Sequence, residues 1–343
     1  MRFDNVYIDS IGTYLPTSRP LSDVVACGEM SADELRDWGW TGVSVAGDVS
    51  PPDMAIAAGR DALKSTTVPR DQFSLLIHAA SLFQGSVMWP AHHYIQRHTI
   101  GDQGTAFEVR QVCSGGLAAL QLAGSMVSAC DNPSAVLVTG ADNHFWYDRF
   151  EWVRHHRGLS RNMPLPGDAA HAIVVTNTGG FAKVTSVATA SVPEFEEAFR
   201  KPGRPFPVPL SAPTPTEIRE ITAAVEEHPQ WLRALSFRTA RTALAAVEEA
   251  LELAGLTPGD IKYFLPGFGG DNSIADLIIR RYPMPLHEGV QQFGRSVGHL
   301  SVNDHAVGLL HLTERNIISS GDNVLLGAHG LAASLNYVVV TIV

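Results

Sequence analysis

The chain has 343 residues, 45% of them hydrophobic and 17% charged, with a formal net charge of -10. This is the composition of a globular protein with room for one large domain or two fused ones, and its acidic balance argues against nucleic acids and anionic membranes as partners. With no spanning apolar stretch, no signal-like start and three cysteines without CxxC spacing, the sequence predicts a soluble, cytoplasmic protein.

The first half of the chain alternates helical and strand-like patterns. DMAIAAGRDALKS, at 53–65, predicts a helix and leads through Pro69, Arg70 and Asp71 to the strand-like FSLLIHAAS. A further strand-like run, AFEVRQV, precedes Cys113, after which apolar residues at helical spacing predict a second helix. The run AVLVTGAD, at 135–142, predicts another strand.

A proline-rich segment follows, and seven prolines lie between Pro193 and Pro215. They exclude a continuous helix or a central strand there, so we expect a surface connection. The second half repeats the order of the first: a helix at about 232–254, a Pro-Gly-Asp turn, a strand-like run, a helical pattern after Ser296, and the strand-like NVLLGAHG at 323–330. Asp71 and Asp260, each just before a strand-like run, are 189 positions apart.

The repeated order predicts a duplicated α/β architecture. We place an N-terminal half at 1–180, a proline-rich connection at 181–225 and a C-terminal half at 226–343.

Cys113 is the candidate nucleophile, because it lies where a strand gives way to a helix and two glycines follow closely behind it. Unpaired N–H groups and the dipole at a helix N-terminus favour a thiolate, which is the form that attacks thioesters. The small residues Ser114, Gly115 and Gly116 are interpreted as room for a substrate carbonyl to approach the backbone. Cys27 and Cys130 lack this context and are interpreted as ordinary small side chains.

His299 is the candidate base, because it precedes a helix in the second half much as Cys113 does in the first. A neutral imidazole can take a proton from a thiol or from an incoming hydroxyl. Two carboxylates near it in sequence, Asp271 and Asp304, are both candidates for fixing its tautomer. Other histidines lack the spacing of known metal motifs, and we expect no metal site and no tightly bound cofactor.

Several motifs together resemble a β-ketoacyl-ACP synthase III of the thiolase superfamily. They are IGTYLP, WTGV, MWPAHHYIQ, VCSGGLAAL, LPGDAAHAIVV and the final GAHGLAASLNYVVV. The resemblance implies a five-layered αβαβα thiolase fold, usually a homodimer, in which Cys113 takes an acyl group from a thioester. It also implies an oxyanion hole formed by backbone N–H groups of Cys113 and of the loop from Ala328 to Gly330, and a place for Trp89 near the partner's acyl pocket.

The chain departs from that family at three positions. Condensing enzymes of this type carry a histidine where Gly267 stands, in LPGFGGDN, and an asparagine where His299 stands, in GHLS. Because that pair holds the thioester carbonyl during decarboxylative condensation, its loss favours simple acyl transfer. Trp40 replaces an arginine of the coenzyme A entrance, so we place it, with Gly267 and Asn272, in the substrate pocket and leave the donor open between acyl-CoA and acyl carrier protein.

The chain therefore resembles the synthase-III-like acyltransferases of antibiotic and other secondary-metabolite pathways. The predicted activity is transfer of an acyl group through Cys113 to a hydroxyl of a small-molecule acceptor, with an amine or a carrier thiol as the other acceptors left open. Two rivals remain open: a decarboxylating condensing enzyme that uses His299 differently, and a non-catalytic partner subunit of another synthase. The presence of Cys113 argues against the second rival.

Overall fold

A computed structural model describes residues 1–86, 88–145, 148–156, 164–199, 227–269, 273–330 and 333–343. The strands are β1 (Tyr7–Tyr14), β2 (Ser18–Pro20), β3 (Gly42–Ser44), β4 (Phe73–Ala79), β5 (Thr105–Val109), β6 (Ala135–Asp142), β7 (Ala169–Thr176), β8 (Ala182–Ser191), β9 (Ile261–Pro266), β10 (Asn323–Gly330) and β11 (Ser334–Ile342). The helices are α1 (Leu21–Ala26), α2 (Ala32–Trp38), α3 (Pro51–Ser65), α4 (Ala91–His98), α5 (Gly115–Ser128), α6 (Arg149–His156), α7 (Pro229–Ala254), α8 (Ser273–Arg281), α9 (Glu288–Val297) and α10 (Asp304–Glu314).

Local sequence signals set the ends of the long helices. At the start of α3, the Ser50 side chain accepts a hydrogen bond from the Asp53 N–H, and Pro51 and Pro52 occupy the first two helical positions. Helix α7 ends at Gly255, whose φ of 70° is the left-handed conformation that glycine adopts without strain. These caps satisfy backbone groups that the helices themselves leave unpaired.

Nine of the described strands form one sheet, in the order β5-β4-β6-β7-β1-β8-β11-β10-β9. Strand β4 is parallel to β5 and β6, and β9 is parallel to β10. The part from β5 to β1 comes from the first half of the chain, and the part from β8 to β9 from the second. Two residue pairs, Tyr7 with Lys183 and Ile8 with Ala182, join the parts across β1 and β8, and a bridge between Arg2 and Ser186 extends the contact.

The helices and the two parts of the sheet form five layers, which pack through three apolar cores. The central core lies between the two parts of the sheet and includes Leu117 and Leu120 of α5, Leu309 and Leu312 of α10, Leu75 and Ile77 of β4, and Val338 and Val340 of β11. One outer core packs α3 against the first part of the sheet, through Met54, Ala58, Leu76 and Val174. The other packs α7 against the second part, through Val247, Leu251, Tyr337 and Val339. Because neighbouring strand residues face opposite sides, Leu75 and Leu76 enter different cores.

The order of layers is thus α3, the first sheet part, α5 with α10, the second sheet part, and α7. This confirms the predicted five-layered αβαβα architecture. The internal repeat is visible in detail: two short 3-10 turns, Val112–Ser114 and Ser301–Asn303, are 189 positions apart, and α5 and α10 begin directly after them. Under this repeat the counterpart of Cys113 is Val302, and His299 lies three positions earlier.

The predicted strands at 135–142 and 323–330 match β6 and β10. The strand-like run before Cys113 is shorter than predicted, because pairing ends at Val109 and the chain turns. The segment assigned as a connection, 181–225, contains β8, which pairs with β11 along its whole length. Residues 200–226 lie outside the described part, and the domain boundaries stay predictions. In the parts of the chain that the structure describes, no helix is both long and apolar enough to cross a membrane.

Candidate active site

Cys113 lies in the 3-10 turn between β5 and α5. The residue before it, Val112, has a φ of 49°, a left-handed conformation that is rare for a β-branched residue. The C-terminal hairpin holds this turn: Ser114 Oγ donates to the Ser334 carbonyl at 2.9 Å, and Asn336 Nδ2 donates to the Ser114 carbonyl at 3.1 Å. The fold therefore presents a half-buried thiol at the start of α5.

Gly115 and Gly116 serve helix packing. A Cβ at Gly116 would lie 2.2 Å from the carbonyl oxygen of Val302, and one at Gly115 would lie 3.1 Å from Cγ1 of the same residue. Val302 fills the side of both glycines on which a Cβ would stand, and the approach of a substrate carbonyl to this backbone stays a prediction. The glycines allow the two repeated turns to approach each other closely.

His299 follows α9 and is fixed through its backbone. Its N–H donates to the Leu165 carbonyl at 2.8 Å, and its own carbonyl accepts from the Gly167 N–H at 2.9 Å. The side chain is 15% exposed, and its Nε2 lies 3.0 Å from Cys113 Sγ. The structure therefore brings the predicted nucleophile and base from the two halves of the chain into hydrogen-bond contact.

Asp304, the first residue of α10, is the carboxylate that contacts His299. Its Oδ2 lies 2.6 Å from His299 Nδ1 and accepts from the Phe268 N–H at 2.8 Å, while its Oδ1 accepts from the Leu300 N–H at 2.6 Å. A carboxylate in this position keeps the proton on Nδ1 and leaves Nε2 for the sulfur. The other candidate, Asp271, lies outside the described residues.

The charges around His299 favour its protonated form. Burial alone would lower the pKa of His299, but the negative charges of Asp304 and of a Cys113 thiolate raise that pKa well above its usual value. The site is thus suited to an imidazolium at His299 that lies between the Cys113 sulfur and the buried Asp304 carboxylate.

Gly267 lies beside this group of three. A Cβ at Gly267 would be 2.9 Å from Asp304 Oδ2 and 3.9 Å from His299 Cε1. A side chain at this position, where the resembling family carries its condensing histidine, would therefore displace the Asp304 carboxylate. Asn272, also assigned to the pocket, lies outside the described residues.

The proposed oxyanion segment, Ala328 to Gly330, is the paired end of β10 rather than a loop, since Gly330 is opposite Ser334. Ala328 is buried, with 1% exposed. A Cβ at Gly330 would lie 2.8 Å from Ser114 Oγ and 3.2 Å from the Gln111 carbonyl, so this glycine is next to the nucleophile turn.

The two tryptophans assigned to the substrate pocket occupy different surroundings. Trp40 is 4% exposed and packs in a separate apolar cluster with Trp38 and Phe150, which leaves little of its side chain for contact with a donor. Trp89 is 40% exposed and packs on Tyr94, with ring centroids 5.2 Å apart. Trp40 therefore has a packing position, and a pocket role for either residue stays a prediction.

Asp168, which the sequence analysis missed, supports the site from behind. Its fully buried carboxylate accepts from the Ala46 N–H at 2.8 Å and the His144 N–H at 2.9 Å, and it pairs with Arg149 at 3.1 Å. The neighbouring Gly167 donates to His299. The one signal in the sequence is a charged residue directly before the largely apolar strand β7.

We expect Asp168→Asn to lower the free energy of unfolding by about 3–5 kcal/mol at pH 7, because it leaves Arg149 charged and nearly buried without its partner. Burial alone would raise the pKa of Asp168, but the His144 hydrogen bond and the Arg149 charge lower that pKa to about 2. The stability contributed by the ionised carboxylate is therefore present above about pH 4 and lost as the pH falls towards 2.

Urea unfolding of wild type and Asp168→Asn between pH 7 and pH 3 tests this expectation. The difference between the two proteins is expected to shrink below about pH 4. A difference that stays constant over this range would contradict the assignment.

Comparisons with known proteins identify the family of the chain. The family model of 3-oxoacyl-(acyl-carrier-protein) synthase III matches residues 107–192, and that of its C-terminal part matches residues 251–342. Acetoacetyl CoA synthase NphT7 of Streptomyces sp. strain CL190 is 28% identical over 310 residues, which cover 83% of this chain and 84% of that protein.

Two solved structures extend the likeness over nearly the whole chain. ChlB3, described as an acyltransferase, superposes with a TM-score of 0.86 at 29% identity and covers 99% of this chain and 98% of its own. A 3-oxoacyl-(acyl-carrier-protein) synthase III of Aquifex aeolicus shares the fold, with a TM-score of 0.74 at 21% identity over 98% of this chain and 99% of its own. The matched segments contain Cys113, His299 and Asp304, and the chain belongs to the 3-oxoacyl-(acyl-carrier-protein) synthase III-like enzymes of the thiolase superfamily.

Proposed function

We propose that the protein is an acyltransferase of secondary metabolism, which moves an acyl group from an acyl-CoA or acyl-carrier-protein thioester to an acceptor hydroxyl. The observation that carries the proposal is the contact series from Cys113 Sγ to His299 Nε2 at 3.0 Å and from His299 Nδ1 to Asp304 Oδ2 at 2.6 Å. A nucleophile, a base and an orienting carboxylate in direct contact are suited to two successive acyl transfers. An amine or a carrier thiol would be accepted by the same chemistry.

In the first transfer, the Cys113 thiolate attacks the thioester carbonyl. The oxyanion faces the backbone N–H groups of Cys113 and of the strand end at Ala328 to Gly330. Collapse forms the acyl-cysteine bond and breaks the bond to the donor sulfur, which leaves with the proton from the His299 imidazolium. His299 is then neutral, and Asp304 continues to hold its Nδ1–H.

In the second transfer, neutral His299 accepts the proton of the acceptor hydroxyl as its oxygen attacks the acyl-cysteine. The new ester bond forms, the bond to Cys113 breaks, and the thiolate and imidazolium pair returns. The raised pKa of His299 supports this cycle, because the proton taken from the acceptor stays on the imidazole next to the restored thiolate.

Decarboxylative condensation is a poorer fit to the residues present. The resembling condensing enzymes use a histidine at the position of Gly267, and here a side chain would meet Asp304 Oδ2 at 2.9 Å. Condensation nevertheless stays the alternative for an experiment to exclude, because one relative is named for acetoacetyl CoA synthesis.

Intact-mass measurement after incubation with a panel of acyl-CoA and acyl-carrier thioesters tests the first transfer. A labelled acyl group is then chased with hydroxylated acceptors, beside an assay for carbon dioxide from a malonyl donor. We expect an adduct of acyl mass and transfer without carbon dioxide. Carbon dioxide released in step with product would show a condensing enzyme, and no adduct with any donor would favour a non-catalytic subunit.

We also propose that two copies of the chain form a homodimer. In the described sheet β5 is an edge strand, so its outer backbone groups are free to pair with another strand. Large apolar side chains cluster on and near this edge and are exposed, including Phe83, Met88, Trp89 and Phe107. Pairing β5 with its copy would extend the sheet across a twofold axis and cover these side chains.

Light scattering at micromolar concentration is expected to give twice the chain mass. Phe107→Glu places a charge on each side of the twofold axis, so this variant is expected to shift towards the monomer. Phe237→Glu, on the exposed side of α7, which packs on β8 and β11 in the other part of the sheet, is the matched change away from the β5 edge and is expected to shift less. A monomeric wild type at that concentration would contradict the proposal.

A further inference from the structure

The buried residue His171 lies outside the series Cys113, His299 and Asp304, and it contacts the chain segment between His299 and Asp304. His171 of β7 is 1% exposed, and its Nδ1 lies 2.8 Å from Asn303 Oδ1. Its Nε2 has no hydrogen-bond partner among the described residues. Burial lowers the pKa of His171 to about 4, so the ring is neutral at pH 7 and carries one proton.

Two glycines make room for this ring. A Cβ at Gly140 of β6 would lie 2.3 Å from Cε1 of His171, and one at Gly116 of α5 would lie 3.5 Å from it. A buried nitrogen without a partner destabilises the folded state by about 1–3 kcal/mol. An apolar side chain of similar size would avoid this penalty, so His171 calls for an explanation other than packing.

Asn303 connects His171 to the segment between His299 and Asp304. Its Nδ2 donates to the Leu300 carbonyl at 2.8 Å and to the Ala169 carbonyl at 3.0 Å. Because an amide oxygen facing two carbonyl oxygens would be repelled by them, the amide nitrogen faces the carbonyls and the amide oxygen faces His171. His171 must therefore carry its proton on Nδ1, and this proton fixes the orientation of the amide.

Both backbone groups of Leu300 are held by this arrangement. Its carbonyl accepts from Asn303, and its N–H donates to Asp304 Oδ1 at 2.6 Å. The next residue, Ser301, has a φ of 57°, which is unfavourable for a side-chain-bearing residue and is maintained only by surrounding contacts. A shift of the Leu300 backbone would turn the adjacent His299 relative to Cys113.

We infer that His171 is a positioning residue for His299: its Nδ1–H orients the Asn303 amide, which holds the Leu300 carbonyl and with it the backbone next to His299, and so sets His299 Nε2 opposite Cys113 Sγ. This inference rests on the proposed acyl transfer for its kinetic readout. A second readout, alkylation of Cys113 by iodoacetamide, depends on the contact between His299 and the sulfur and needs no acyl donor or acceptor.

Two substitutions that both fill the cavity with an amide separate positioning from packing. In His171→Asn the amide nitrogen is two bonds from Cβ, as Nδ1 is, and can donate to Asn303. In His171→Gln the nitrogen is one bond farther out and leaves Asn303 without its donor. Asn177→Ala is the control: the Asn177 amide donates to the carbonyls of Val127, Cys130 and Asn132, roughly 20 Å away along β7.

We expect His171→Gln to lower kcat for transfer by about ten- to a hundredfold with little change in KM, because small displacements of a base have effects of this size. Cys113 alkylation at pH 7, followed by peptide mass, is expected to slow in the same variant. His171→Asn should restore both rates to within about threefold of wild type, and Asn177→Ala should leave both unchanged.

Equal alkylation and transfer rates in His171→Gln and wild type would overturn the inference. So would equal losses in the Gln and Asn variants, since these would point to packing alone. If no acyl transfer is found with wild type, the proposed function fails, and the alkylation rates still decide whether His171 positions His299.

Discussion

Cys113→Ala is expected to abolish covalent acylation while the fold stays intact. Only a half-buried sulfur is removed, and the backbone of its turn is held by Ser114, Ser334 and Asn336 rather than by the thiol. No other described group in the contact series is a nucleophile of comparable strength, because His299 and Asp304 hydrogen-bond each other. Intact mass after incubation with the best donor measures the adduct, and circular dichroism measures the fold.

The chain supplies matched controls for this change. Cys27 and Cys130 are free and exposed, so Cys27→Ala and Cys130→Ala remove the same group from more accessible positions. Both variants should acylate like wild type, since neither thiol contacts a described imidazole. An adduct of normal yield on Cys113→Ala would instead show that the acyl group sits on another residue.

The strands around the site could be predicted from sequence because burial leaves a simple pattern. β6 and β10 are nearly continuous apolar runs, and their observed ends match the predicted ones. The repeat of 189 positions also holds, down to the two turns before α5 and α10. The repeat predicts that Cys113 approaches the second half of the chain. It therefore also predicts His299 as the candidate base.

The finer parts of the site depend on contacts that sequence spacing does not carry. The sequence offers both Asp271 and Asp304 as partners of His299. The contact of Asp304 with Nδ1 depends on the position of that residue at the start of α10, which sequence distance does not reveal. The glycines after Cys113 have the composition of a substrate approach, yet Val302 fills the space beside them. His171 and Asn303 belong to different halves of the fold and meet only after the layers have stacked.

His299→Ala is expected to lower the rate of acyl transfer from the acyl-enzyme by roughly two to four orders of magnitude, which is the usual contribution of a positioned base. Self-acylation should fall less, because the N-terminus of α5 still favours a thiolate at Cys113. Single-turnover transfer of a labelled acyl group to a hydroxylated acceptor measures the first rate, and intact mass against time measures the second.

The pH dependence identifies the base. Only neutral His299 can accept the proton of the acceptor, so single-turnover transfer should rise with pH through the pKa of His299. Although burial lowers that pKa, the charge of Asp304 holds it above the ordinary value of 6.5. Asp304→Asn removes this charge, so the midpoint should move to lower pH while the plateau rate falls. A midpoint unmoved in Asp304→Asn would contradict the role of the carboxylate.

His299→Asn separates acyl transfer from condensation. It restores one member of the condensing pair but leaves Gly267 without the other, and the space for a side chain there is taken by Asp304 Oδ2, 2.9 Å from an added Cβ. We therefore expect this variant to lose transfer as His299→Ala does and to release no carbon dioxide from a malonyl donor. If His299→Ala transfers at the wild-type rate, or wild type releases carbon dioxide in step with product, His299 only lines the pocket and the acyl-transfer cycle is wrong. A histidine added at Gly267 would not complete the condensing pair either, because its side chain and the Asp304 carboxylate would compete for one space.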